Sequence, residues 1–445
     1  MKKLLLVLVL LSLQTINAQF FVPQSEEGLL GGGMGVTWID GAPHYAVHIF
    51  PDFSFGNWGF GLDLNLEFTA EGKLRTENFN EFSDYLNIIR YLRYGQKGDP
   101  LYARLGSLDY ATLGHGSIMY MYNNSPSWDT KKAGLEFDVD FNTFGFESVY
   151  GNFAQAGVMG LRGYLRPLQL TELRDIPILG NLEVGATIVS DFDKYSGVSA
   201  GIYNQGSQTF ESTVDDGSVT EIGLDLGLPV VRSKLFDFDV YFDYAKIINF
   251  GSGATAGMMM RFKGLGLVDL TTKFERRFNG DNYIPSYFNS FYEIERFHFD
   301  SNTNLVTSKI QQLEAANGIG NGWYGELFAR VLGLFNVIGS YQRLDNDPQS
   351  GILHMYTMIA PDAMPIVVRA GYDKIRIQDE GDLFKLDDRS YLYAELGYKA
   401  NSYILVSMVY QWTFTPVRDA DDNIIDFAPQ KRIEPRISFI YPVDL

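Results

Sequence analysis

His115 and Ser117 stand two residues apart, and Asp129 follows twelve residues after the serine. Residues two apart on a strand share a face. A base, a nucleophile and an orienting group are what acyl transfer needs, so these three form a candidate catalytic set. The plainer reading of Gly114-His115-Gly116-Ser117 is a turn at a strand end. His44 and His48 also share a strand face, but with a gap too wide for easy chelation, and they read as wall histidines rather than zinc ligands. Asp419, Asp421 and Asn423 echo the opening of a calcium loop. Ile424 stands where that loop requires glycine and Gln430 where it requires the bidentate Glu, so the segment reads as a solvated acidic loop. Gly31-Gly32-Gly33 with Gly35 lacks a phosphate-loop lysine and a following helix, and reads as a flexible approach to a first strand. No metal site and no cofactor are expected.

The elements that would carry these residues are β-strands. The chain has 445 residues, 46% hydrophobic and 20% charged, with 45 Gly, 16 Pro and no Cys. That composition excludes disorder, collagen, a disulfide scaffold and thiolate metal sites. Its 27 Tyr, 33 Phe and 5 Trp exceed what a core needs, and 36 basic against 54 acidic residues give a net charge of −18. An acidic chain is a poor partner for nucleic acid.

Met1-Lys2-Lys3, an apolar run from Leu4 to Leu13 and Ala18 just before Gln19 have the form of a cleavable secretory signal, residues 1–18. The apolar run is too short to span a bilayer, for which about 20 residues are needed. No later stretch qualifies as a membrane helix either, since Arg330 interrupts 327–338 and Ser407 and Gln411 interrupt 403–414.

The pattern that remains has a period of two. Phe60, Leu62, Leu64, Leu66 and Phe68 alternate with Gly61, Asp63, Asn65 and Glu67; Leu135 to Phe141 alternate with Glu136, Asp138 and Asp140; Phe236 to Tyr244 alternate with Asp237, Asp239 and Asp243. Each run puts apolar side chains on one face and polar ones on the other. A soluble sandwich alternates too. These strands, however, exceed the usual five or six residues or so of globular sheets, their apolar faces often end in Tyr, Trp or Phe, and a signal delivers the chain to an envelope. Strands crossing lipid must pair without an edge, which forces closure.

On this alternation, aromatic girdle and signal, the chain from Gly33 to Leu445 resembles the bacterial outer-membrane β-barrel proteins of the porin kind. The fold implied is all-β: a transmembrane antiparallel barrel of about 16 strands (14–18). Residues 19–32 form a short lead-in and 33–445 the barrel, with no second domain. Ile437, Phe439 and Tyr441 alternate as in the last strand of such barrels, although the chain runs on to Leu445 instead of ending on an aromatic. Leu101 to Gly116 looks like segments of uncharacterised envelope barrels. The His115-x-Ser117 spacing is similar to that of outer-membrane phospholipases, whose orienting residue is Asn where this chain has Asp129. The lead-in is too short for the plug domain of an energy-coupled transporter.

The resemblance implies contact with outer-membrane lipid and lipopolysaccharide and passage of a small hydrophilic solute. The alternation turns Asp63, Glu67, Glu136, Asp138, Asp140, Asp237, Asp239 and Asp243 inward, and on other strands Arg104, Arg162, Arg166 and Arg369. Such groups would either set up a transverse field across a pore or pair across strands. A long loop at about 277–322 crowds Phe278, Tyr283, Tyr287, Phe288, Phe291, Tyr292, Phe297 and Phe299 into its first half, and Ser308 with Gln311 forms a capping box. The aromatics would pack the loop on the barrel rim, or the loop would fold into the lumen as a constriction facing a sugar or other ring-bearing solute. The expected function is a passive channel. The alternatives are a non-conducting barrel for assembly, secretion or adhesion, and a hydrolase.

Overall fold

The structure is a computed structural model describing residues 28–443, apart from 77–78, 80–84, 86–87, 128–131, 156, 205, 265–266, 301–304, 333–334, 360–364, 380 and 402. The expected signal segment and Asp129 lie outside the described residues.

Among the described residues, 22 strand segments form one sheet. Two pairs of segments are halves of broken strands. Ala42–Ile49 and Asp52–Phe55 both lie against Gly28–Ile39, interrupted at Phe50-Pro51, and Trp58–Leu62 and Leu64–Thr69 pair with those halves in turn. Proline supplies no ladder donor, which accounts for the first break. Ile424–Val443 then pairs antiparallel with Gly28–Ile39, from Gly28 opposite Val443 to Ile39 opposite Arg432. The last strand meets the first, and among the described residues the sheet closes into a barrel of twenty staves.

Two expectations are corrected. The barrel has more staves than the 14–18 read from alternation, because strands such as Ile89–Tyr94 and Leu101–Gly106 turn Tyr91, Arg93, Tyr102 and Arg104 inward and so lack a clean apolar-polar contrast. The glycine run is not a lead-in, since the first strand begins at Gly28. A Cβ on Gly35 would lie 2.2 Å from the Pro435 carbonyl oxygen, so the closing seam itself calls for glycine there.

The barrel is apolar outside and polar inside. Along Val219–Arg232, Ile222, Leu224 and Leu226 point outward, Leu224 being 62% exposed, while Glu221 and Asp225 are buried within. Phe242 and Tyr244 are exposed on the next strand and Asp237 and Asp243 are buried. Exposed aromatics mark both ends of the staves: Trp38, Tyr45, Tyr244, Trp323 and Phe278 at one, Phe55, Trp58, Phe144, Phe262 and Phe439 at the other. An apolar belt between two aromatic girdles around a polar interior is the arrangement of a transmembrane barrel. No helix of the described residues is long and apolar enough to cross a membrane.

The two ends differ. One has turns as short as 141–143 and 233–235, and the other carries the loops 107–133, 192–218 and 280–321. The last of these holds the short helices Tyr292–Glu295 and Lys309–Ala315 and the hairpin Phe297–Asp300 with Leu305–Ser308. The Gln311 carboxamide accepts from the Ser308 backbone N–H at 3.0 Å, as the capping box requires.

Candidate functional site

The apolar core of this protein sits inside the lumen. Leu113, Ile118, Met119 and Tyr122 of loop 107–133 and Tyr283, Tyr287, Phe288 and Tyr292 of loop 280–321 form one buried cluster, packed on inward Val189, Val219, Ala245 and Ile247. The two loops are stitched by backbone bonds: Tyr120 N–H donates to Phe288 O at 3.1 Å, and Ser286 N–H to Ser117 O at 2.9 Å. They also reach another sector of the wall, where Phe291 packs with Ile375 and Phe414 and Ser127 Oγ donates to Phe414 O at 2.8 Å. The long loop folds inward, but its aromatics pack as a core instead of facing a solute: Tyr283, Tyr287, Phe288 and Tyr292 are buried in this cluster, Phe297 and Phe299 pack at the rim with Val198, Phe210 and Ile425, and Phe291 reaches the cavity beneath.

Ion pairs fix this inner body to the barrel. Arg296 binds Asp191 at 2.6 Å, Asp193 at 3.3 Å and Glu293 at 2.9 Å. Lys132 of the other loop also binds Glu293, and Tyr122 donates to it at 2.5 Å. Lys309 and Arg376 bind Glu295 at 2.7 and 3.1 Å. Burial alone would raise the Glu293 carboxyl, but Arg296 and Lys132 hold it below its usual range.

Beneath the loops, toward the short-turn end, lies a cavity of about 1100 Å³. Glu136, Asp138, Asp140, Asp239, Arg104, Arg162, Arg166 and Arg369 line it. These groups pair with one another or with nearby residues, within, between and across strands, instead of standing in opposed rows. Arg162 takes Asp225 at 2.6 Å, Glu183 at 2.8 Å and Glu147 at 3.2 Å; Arg166 takes Asp140 and Glu183 at 2.9 Å each. Lys97 binds Asp138 at 2.8 Å and Glu136 at 3.3 Å, Arg232 and Arg261 share Asp239, Arg104 binds Asp109 at 3.1 Å, and Arg369 binds Glu395 at 2.8 Å. Burial would lower the Lys97 ammonium, yet Asp138 and Glu136 hold it well above its usual value.

The other expected lining residues lie away from this cavity. Glu67 is sealed by Arg432 and Arg75, Asp237 pairs with Lys263 at 2.7 Å, and Asp63 accepts from Asn65 Nδ2 at 2.8 Å at the strand break. Asp243 receives the inner loop. His115 Nδ1 lies 2.8 Å from one of its oxygens and Ser117 Oγ donates to the other, so histidine and serine share a carboxylate instead of bonding to each other. His115 stacks on Tyr241 at 4.1 Å. That contact anchors the loop and does not build a nucleophile–base pair. His48 sits on the wall between Asn65 and Glu434, and His44, on the same strand face nearer its end, is half-buried. Asp419 accepts from the backbone N–H groups of Asp421 and Asn423, and Gln430 lies within a strand.

Sequence reasoning took His115 and Ser117 for one face of a strand, whereas they lie in loop 107–133; it passed over that loop as a filling of the lumen, although Ile118-Met119-Tyr120-Met121-Tyr122 is an apolar run no solvated loop would carry. It also passed over Lys97, Glu147, Glu183 and Asp225, which complete the ion pairs.

The fold and site thus define a transmembrane β-barrel whose lumen is partly filled by its own loops. No known protein-family model matches the chain, and no curated protein does. Among solved structures it is similar to OccK11 (OpdR) of Pseudomonas aeruginosa, at 11% identity and a TM-score of 0.31 over 96% of this chain and all of that one. It is also similar to OccD3 (OpdP) of the same organism, at 10% and 0.31 over 94% of this chain and 91% of that one, and to OmpT, an outer membrane protein of Vibrio cholerae, at 9% and 0.28 over 95% and 100%. At these scores the likeness carries no weight for function, and the barrel stands on its own closed ladder of hydrogen bonds.

Proposed function

We propose that the chain is a bacterial outer-membrane barrel, exported by a cleavable signal at residues 1–18, that passes small hydrophilic solutes passively through a constricted lumen. Lipid and lipopolysaccharide would surround the apolar belt. The observation that carries this reading is the polar cavity of about 1100 Å³ enclosed by a barrel that is apolar outside. The expected lining residues named above would act through their paired charges, which leave little net field, so ion preference would be weak. A second reading, a non-conducting barrel serving assembly, secretion or adhesion, is favoured by the two loops meeting across the lumen.

Refolding the mature chain from detergent into planar bilayers, with unequal salt on the two sides, decides between them. Small, stable open steps with weak ion preference support the channel. Silence from a barrel shown to be inserted overturns it in favour of the second reading.

A further inference from the structure

One sector of the cavity wall differs from the rest. Tyr356, Gly371 and Tyr393 stand side by side on three adjacent strands, Gly371 opposite Tyr356 on one side and opposite Tyr393 on the other. All three line the cavity, as does Tyr110 from the in-folded loop. Two strand spacings place the tyrosines roughly 10 Å apart at the backbone. A Cβ on Gly371 would find only a Tyr356 ring carbon, at 3.6 Å, so the glycine leaves an open slot between two aromatic residues. The slot is bounded along the strands by the ion pair of Arg369 with Glu395 at 2.8 Å and by the hydrogen-bonded contact of His354 with Asp373.

We propose that this slot binds a neutral, polyhydroxylated ring of the sugar class. Flat aromatic faces suit the C–H face of a saturated ring. The Arg369 guanidinium and the Glu395 carboxylate, already paired with each other, keep donor and acceptor positions for hydroxyls while cancelling each other's charge. This rests on the channel reading only for how solute reaches the slot. The test therefore measures binding apart from conduction. Maltose is titrated calorimetrically into the refolded full-length barrel in detergent, beside glutamate and lysine as charged controls. The expected result is saturable heat with maltose alone, weakened about tenfold by Tyr393→Ala and abolished by Gly371→Val, which fills the slot at a position with room for a Cβ. No heat with maltose, equal heat in both variants, or tighter binding of either charged control overturns the proposal. Maltose binding by a barrel that conducts nothing would defeat the channel reading and leave this one standing.

A separate feature lies at the short-turn end. Most turns there have only a few residues, but 166–182 contains the three 3-10 turns Pro167–Leu170, Glu172–Asp175 and Leu179–Asn181. Leu170 is 65% exposed, and Leu173, Ile176, Ile178 and Leu179 are exposed beside it, whereas Arg174 and Asp175 supply charge. The patch continues from the outward Leu165 and Val184 of the flanking strands. We infer that this turn lies in the lipid interface as an extension of the apolar belt. The chain has no Cys, so a spin label at Leu173→Cys reports one site. In bilayers the label should be relaxed by oxygen more than by a water-soluble nickel chelate, the reverse of a label at Gln349→Cys in an opposite-end loop. Nickel access equal to that control overturns the inference, and so does a label shielded from both reagents, which would place protein over the patch.

Discussion

Arg296 Nε donates to Asp191 Oδ2 at 2.6 Å, tying the short helix of the long loop to the end of a barrel strand. The same guanidinium reaches Glu293 and Asp193, and Tyr292 beside it also donates to Asp191, at 2.7 Å. Removing one partner of a buried ion pair leaves the other charge uncompensated, which costs about 3–5 kcal/mol. Arg296→Met is expected to lower the stability of the refolded barrel by about that amount, read from its urea midpoint, and to raise single-channel conductance by loosening the inner loops. An unchanged midpoint would mean that the loops are held by their aromatic cluster alone.

The same ties carry a pH dependence. Burial alone would raise the Glu293 and Glu295 carboxyls, but Arg296 and Lys132 around the first, and Lys309 and Arg376 around the second, hold both below the usual 4.5. Their contribution is complete above that value and is lost as pH falls through the depressed ones. Burial alone would lower His115, yet Asp243 lifts it above 6.5. Its contribution is complete below 6.5 and is lost as pH rises through the raised value. Conductance recorded across these windows should be smallest between them and should rise on either side. A maximum in the middle would show that the loops are not what narrows the lumen.

How much of this could be read from residue order follows from how far each signal travels along the chain. The Phe236 to Tyr244 alternation fixes which face of a strand meets lipid, because it is written within nine residues, and the structure shows Phe242 and Tyr244 outside with Asp243 inside. Strands whose inner face holds Tyr91 and Arg93, or Tyr102 and Arg104, carry no such contrast and were undercounted. The aromatic loop was legible as a feature, but its place was not: Phe288 meets Tyr120 and Ser286 meets Ser117 across some 170 positions of sequence. Asp243 was legible as an inward carboxylate, and its guests His115 and Ser117 were legible as a pair, yet nothing local says that they meet.

That meeting makes a prediction about catalysis. Ser117 donates a hydrogen bond to Asp243 in a buried contact, and His115 leans on the same carboxylate. Ser117→Ala should leave hydrolysis of a lipid ester at background and Asp243→Asn should destabilise the inner loop, seen as faster proteolysis within 107–133. Esterase activity in the native barrel that Ser117→Ala abolishes would restore the hydrolase reading.

The belt and the lumen should answer differently to charge. Leu224 faces outward well inside its strand, and Asp225 beside it faces inward, where Arg162 binds it. An arginine on the lipid face near the midplane costs about 2–4 kcal/mol, so Leu224→Arg should lower the refolding free energy in bilayers by that range, and Leu64→Arg should do likewise. Asp63→Asn, at a strand break where the carboxylate accepts from Asn65, keeps an acceptor and should be mild. The comparison must be made in lipid, because the penalty arises from hydrocarbon and not from packing against protein. Equal tolerance of Leu224→Arg and Asp63→Asn in bilayers would remove the membrane-spanning assignment, since no other environment for this barrel makes its outward leucines the sensitive ones.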